Sequence, residues 1–296
     1  MASPSHAPAQ GASPLAGIAC VIAGIFCLTL SDAQAKWLGD HYSPIQILFL
    51  RSLIAMPFVL ALAVGLGGRP ALRTQHLNVH LLRGAINVVS ASCFYLGLRY
   101  LPLAENTAIA FAAPLFVTAL SVLILKEKVD ARRWLAVGAG FAGVVIIVRP
   151  GSASFQLAAL LPLITALLYA LMMITARAIG KGEGMLTTMF YIVLGQLVAS
   201  AVLIPWFWDT PRTQDLPLFV GVALFSTLGL TLITQGFRIG PASAVAPFDY
   251  TGLLWATLLG WLIWRETPEL SAAIGALFIA GSGLYIAWVE TRRRTR

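Results

Sequence analysis

The sequence predicts an all-α integral membrane protein. Ten transmembrane helices form two inverted five-helix repeats around a central cavity. Three observations carry this. Of 296 residues, 58% are hydrophobic and only 11% charged, at a mean hydropathy of +0.83. Ten apolar runs are each about 20 residues long, enough to carry a helix across ~30 Å of hydrocarbon. The second half of the chain repeats the first. Helices are expected because every backbone amide in lipid needs an internal partner, and the runs are continuous where barrel strands would alternate.

The elements follow in order. Residues 1–14 are rich in Ala, Ser and Pro and lack Lys and Arg. They predict a disordered cytoplasmic tail ahead of a retained first helix, not a cleaved leader. Span one, 15–37, carries Asp32 one turn before Lys36. Span two, 44–66, carries Arg51 about two turns in, and span three, 78–99, carries Tyr95. Span four, 103–125, opens on Glu105 and Asn106, where acid suits a helix N-terminus, and continues through Phe111 and Pro114. Span five, 131–148, is rich in glycine. Span six, 156–178, carries Tyr169, Met172, Met173 and Thr175, and span seven, 186–205, carries Tyr191 and Gln196. The loop that follows holds Trp206 and Trp208, which with Trp37, Trp134 and Trp288 suit an interfacial aromatic belt. Span eight, 216–237, carries Gln235. Span nine, 243–264, holds Ala246-Pro247-Phe248-Asp249-Tyr250 and, further in, Trp255. Span ten, 270–288, precedes a basic tail at 291–296. The first repeat is expected over 15–149 and the second over 155–290.

The repeat is legible residue by residue. When Lys126–Glu127 is set on Arg265–Glu266, Gly97 falls on Gly236, Pro102 on Pro241, Thr118 on Thr257 and Leu123 on Leu262. A small gap brings Ala35–Lys36 onto Ala176–Arg177. Five spans per half is an odd number, so the second copy enters from the opposite side. Such inverted halves can exchange conformations, which gives two states of similar energy and a site at the midplane between them.

The net charge of +8 does not point to nucleic acid, because the basic residues sit at span ends rather than on one face. With the N-terminus inside, fourteen Lys and Arg fall on the inner side. Only Lys36, Arg99, Arg149, Arg212 and Arg265 fall on the outer side. That bias predicts that both termini are cytoplasmic. Cys20, Cys27 and Cys93 all lie within spans and make neither a disulfide framework nor a metal spacing.

Gly138-Ala139-Gly140-Phe141-Ala142-Gly143 matches a dinucleotide fingerprint in letters alone. No strand precedes it, so close helix packing is the better reading, with Gly275, Gly281 and Gly283 as the same device. Glu127 and Glu266, each after a basic residue, read as helix-end caps or ion-pair partners. An intramembrane carboxylate is a functional candidate by default, so Asp32 and Asp249 are candidates for substrate-amine contact or proton coupling. For Asp32 the alternative is an ion pair with Lys36 at i+4. For Asp249 it is a turn-like start to its span near the inner face. Pro247 removes a backbone hydrogen bond beside Asp249, and broken helices are where transporters coordinate polar groups. Arg51 is expected to snorkel or pair. The candidate cavity comprises Asp32, Tyr95, Phe111, Tyr169, Met173, Gln235, Asp249, Tyr250 and Trp255. It is mostly apolar and aromatic, and suits an amphiphilic small molecule better than a bare ion. No metalloprotease, nucleotide-binding or Asp-rich metal motif is present in the sequence, so no cofactor and no enzymatic activity are expected.

Several motifs together resemble the EamA repeat of the drug/metabolite transporter superfamily. They are Tyr100-Leu101-Pro102-Leu103-Ala104-Glu105-Asn106-Thr107-Ala108, Ala113-Pro114-Leu115-Phe116, Leu125-Lys126-Glu127 and Gly140-Phe141-Ala142-Gly143-Val144. The second half echoes them in Gly240-Pro241-Ala242-Ser243-Ala244-Val245-Ala246-Pro247 and Trp264-Arg265-Glu266. The resemblance implies a cavity lined mainly by spans one, three, four, six, eight and nine. It is nearest to bacterial exporters of the YddG type, and so implies a bacterial inner-membrane location and alternating-access export of aromatic or neutral amino acids. Uptake of a vitamin or nucleoside-like metabolite, such as riboflavin or S-adenosylmethionine, is the alternative. A lipid-modifying membrane enzyme is a remote third, and a channel a further rival. The expected partners are a small-molecule substrate and membrane lipid, with no nucleic acid, for a chain acting as a monomer.

Overall fold

The computed structural model describes residues 14–126, 129–150, 157–179 and 184–294. The expected tail over 1–13, the role of Glu127 and the last two residues lie outside these. Helices α1 (Pro14–Leu38), α2 (Pro44–Gly67) and α3 (Leu77–Tyr100) form spans one to three. Span four is α4 (Leu103–Ala110) followed by α5 (Ala113–Leu125), and span five is α6 (Ala131–Val148). The second half runs α7 (Leu160–Ile179), α8 (Met185–Phe207), α9 (Leu216–Ile239), α10 (Ala242–Val245), α11 (Thr251–Trp264) and α12 (Leu270–Arg294). The arginines of the expected basic tail up to Arg294 therefore continue the last helix.

Nine helical segments among the described residues are long and apolar enough to cross a bilayer. The tenth span is the ninth in order. A 3-10 turn at Ala246–Tyr250 splits it, leaving α11 only 14 residues long. Span four bends at the equivalent place, residues 111–112. Both breaks sit beside prolines, Pro114 and Pro247, which lack the amide that would continue the ladder.

Helix directions establish the inversion. Helix α1 runs antiparallel to α9: a methyl on Gly24 would lie 2.8 Å from the Gly229 carbonyl, and one on Gly17 would lie 3.0 Å from the Gly236 carbonyl. Helix α7 runs antiparallel to α3, with Thr165 and Ser90 exchanging hydroxyl-to-carbonyl bonds of 3.0 and 3.2 Å. A methyl on Gly97 would meet Pro162. Helix α8 is antiparallel to α2, since Ser43 Oγ donates to the Phe207 carbonyl at 3.1 Å. Helices α8 and α3 are parallel, with the His80 and Tyr191 rings stacked at 5.1 Å and Gly84 against Gly195. Helices α1 and α7 therefore point in opposite directions. The same pairs recur in both halves: α1 on α9 and α7 on α3, α5 on α7 and α11 on α1, α3 on α8 and α2 on α9. Helices α6 and α12 pack together across the pseudo-two-fold.

The glycine-rich run of span five is a packing device, in part. A methyl on Gly143 would approach the Gly275 carbonyl at 2.7 Å, and one on Gly140 would strike Leu115 and Ser282. Gly138 and Gly281 have nothing within 4 Å, so packing does not explain them. Gly283 leaves room for the Tyr250 hydroxyl.

Candidate functional site

One end of the bundle is tied shut. Lys36 Nζ sits 2.6 Å from Glu266 Oε1 and donates to the Leu101 carbonyl at 2.7 Å. The Leu103 amide donates to the other Glu266 oxygen at 2.9 Å, and the Lys36 ammonium lies 5.2 Å from the centre of a Trp264 ring. Lys36 is thus held by the second repeat, not by Asp32 as the i+4 spacing suggests. At the same end Tyr42 donates to Asp215 Oδ2 at 2.6 Å and accepts from the Arg212 amide at 2.9 Å. The Gln46 side chain bonds Asp209 through both its backbone amide, 2.9 Å, and its carbonyl, 2.5 Å. Arg149 pairs with Glu269 at 2.6 Å. Apart from the Lys36–Leu101 bond, each of these links joins the first repeat to the second.

The other end, which carries Lys126, Arg238 and the arginines of α12, contains space. A cavity of about 760 Å³ lies among the ends of α2, α8 and α9, lined by Leu62, Gly67, Thr187, Thr231, Gln235 and Arg238. It shares Met189 and Thr234 with a deeper cavity of about 320 Å³. That deeper cavity shares Tyr169 and Met173 with a third, of about 500 Å³. These volumes fall in the usual range for small-molecule sites, ~300–1,000 Å³.

The 500 Å³ cavity collects Phe111, Tyr169, Met173, Asp249 and Tyr250 from the sequence-derived set. Phe111 and Tyr250 are equivalent positions of the two repeats, and their rings meet at 5.1 Å. Asp249 lies in the 3-10 turn, where the break turns its carboxylate into this space, and its Oδ1 is buried without a hydrogen-bond partner. The remaining candidates fall elsewhere. Gln235 lines the outermost cavity, near its mouth. Trp255 packs edge-on against Phe26 at 5.1 Å, with its indole nitrogen buried and unpartnered. Asp32 and Tyr95 lie behind the 320 Å³ cavity, within electrostatic reach of Arg51, and Arg51 donates to the Tyr95 hydroxyl at 2.9 Å.

Residues beyond the nine of the candidate cavity complete the deeper one. Arg51, Ser52, Asn87, Gln196 and Thr227 line it. Gln196 is 4% exposed and Ser52 1% exposed, yet Gln196 Nε2 and Ser52 Oγ have no partner. The signal for Arg51 was available: an ionisable residue mid-span is as much a functional flag as the two aspartates. The implied lining also needs correction. No described residue of span one lines these cavities, whereas spans two, seven and ten contribute to them. The reason is that α1 packs along α9 through glycines, which leaves no gap there.

Comparison with known proteins gives a consistent picture. The EamA-like transporter family profile matches residues 15–149 and 156–288. An S-adenosylmethionine uptake transporter of Rickettsia prowazekii is 28% identical, over 94% of this chain and 94% of its own. A riboflavin transporter of Vibrio cholerae is 30% identical, over 98% and 97%. A pseudopaline exporter of Pseudomonas aeruginosa is 26% identical, over 95% and 96%. A solved crystal structure superposes with a TM-score of 0.62 at 19% identity, covering 94% of this chain and 99% of that one, which speaks to the fold alone.

Proposed function

The chain belongs to the EamA-like transporter family of the drug/metabolite transporter superfamily and is a transporter of small metabolites, not an enzyme; on that premise we propose that it is a secondary carrier of the bacterial inner membrane that works by alternating access. One observation supports this above the rest. The interface between the inverted repeats is latched at one end by Lys36 and Glu266 and hollow at the other, where three cavities share walls. A channel needs a continuous path, whereas a carrier needs one closed gate at a time. The hollow end bears most of the cationic span ends, so the positive-inside rule makes it the cytoplasmic side, with both termini there. The conformation is then inward-open.

The substrate is a small organic molecule that fits an aromatic chamber with few polar groups. None of the three relatives named above is an amino-acid exporter, and they differ among themselves in direction and cargo. The site chemistry, not the narrower amino-acid export reading, therefore guides the choice of test ligands. In proteoliposomes, S-adenosylmethionine, riboflavin and aromatic amino acids are offered as labelled probes. Saturable uptake that speeds up when the same compound is preloaded inside is the expected result. Flux that rises linearly with concentration and ignores preloading would mark a channel.

A further inference from the structure

The two inner cavities have opposite chemistry. The lining of the 320 Å³ cavity includes three residues with donor groups, Arg51, Gln196 and Ser52. Of the several N–H groups on Arg51, one is directed to Tyr95. Gln196 Nε2 and Ser52 Oγ are buried with nothing to bond. A buried, unmet donor carries a desolvation cost that a bonded guest would relieve, so the cavity favours a guest with acceptor oxygens. Beside a guanidinium fork the best such guest is a carboxylate. The 500 Å³ cavity presents the reverse. Asp249 offers a carboxylate oxygen without a partner, among the rings of Phe111, Tyr169 and Tyr250. An unpaired carboxylate in an apolar, aromatic chamber favours a cation, which ring faces also attract. Tyr169 and Met173 line both chambers, so the two adjoin at these side chains.

We infer that the carrier takes a zwitterion lengthwise. Its carboxylate docks at Arg51, Gln196 and Ser52, its separate cationic group docks at Asp249, and its flat portion lies along Tyr169 and Phe111. This deepens the carrier reading and rests on it. A neutral substrate would leave the Asp249 oxygen unpartnered, and a simple cation would leave Gln196 Nε2 and Ser52 Oγ unpartnered.

The test uses purified full-length protein and four probes. S-adenosylmethionine carries both charges. Its decarboxylated form lacks the carboxylate, S-adenosylhomocysteine keeps the carboxylate and its adjacent ammonium but lacks the distant sulfonium charge, and riboflavin is neutral. Binding to the unaltered protein should be tightest for S-adenosylmethionine, with the decarboxylated form and S-adenosylhomocysteine each at least about tenfold weaker. Arg51→Gln should erase the preference over the decarboxylated form while keeping the preference over S-adenosylhomocysteine. Asp249→Asn should do the converse. Arg51→Lys should restore part of what Arg51→Gln loses, and Tyr95→Phe, which removes only the hydroxyl beside Arg51, controls for packing. If both variants weaken all probes equally, the residues are structural and the two-pole site is wrong. Absence of saturable zwitterion binding overturns it as well. Should riboflavin then still show preload-stimulated uptake, the carrier reading stands without the two-pole site. Loss of stimulated uptake for all four probes removes the carrier reading too.

Discussion

Lys36 is a buried ammonium with three partners, all of them outside its own helix: a carboxylate at 2.6 Å, a carbonyl at 2.7 Å and an indole face. At 10% and 21% side-chain exposure, the pair with Glu266 is shielded from solvent far better than a surface ion pair, which is worth ~0–1 kcal/mol. A double-mutant cycle on Lys36→Met and Glu266→Gln, read by denaturant unfolding in detergent, should give a coupling of about 1–3 kcal/mol. A coupling below ~0.5 kcal/mol would mean that the latch is decorative. Helix-local rules suggest Asp32 as the partner, since that is the acid one turn away. They cannot reach Glu266, 230 residues along the chain. The charge topology put Lys36 and Arg265 on the same side of the membrane, and Glu266 read as an ion-pair partner at the end of the second repeat's fourth span, but nothing in the sequence joined it to Lys36. Asp249 was legible for a local reason, the proline two residues before it. Arg51 was flagged by its charge in mid-span, but its surroundings were not legible, because its cavity exists only where α2, α3, α7, α8 and α9 converge.

At the scale of elements, composition gave the spans and local chemistry gave the breaks. Span nine fails a length test for a membrane helix, yet its residues are as apolar as the rest; the 3-10 turn that shortens it also delivers Asp249 to the cavity. The glycine run in α6 makes a sharper case. Its six letters read as one motif, but Gly143 meets the α12 backbone while Gly138 faces open space. Gly143→Leu should therefore overpack the α6–α12 contact and cost about 1–3 kcal/mol, seen as a lower melting temperature and a poorly monodisperse elution. Gly138→Leu should leave both measurements close to the parent. Equal sensitivity at the two positions would sink the account of this interface, and no spacing rule could have separated them. The difference depends on which side of α6 faces the partner.

At the scale of the whole molecule, the pairing of helices is symmetric and the openings are not. Helix α1 meets α9 as α7 meets α3, but the ties at one end of the interface have empty space opposite them. Two inverted copies of one unit can share a symmetric contact map and still adopt unequal conformations, and interchange of those conformations moves the opening from one face to the other. Thr234 lines both the 320 Å³ and 760 Å³ cavities, so it reports on that path. With Cys20, Cys27 and Cys93 replaced by Ala, Thr234→Cys should react with a membrane-impermeant maleimide in inside-out vesicles and not in right-side-out ones. Adding Lys36→Met weakens the latch and should produce labelling from the second side, while Ser52→Cys, deeper in, should follow the same pattern more slowly. Labelling from the outside alone in the latched protein would reverse the assigned orientation. Labelling from both sides with the latch intact would replace alternating access with an open pore.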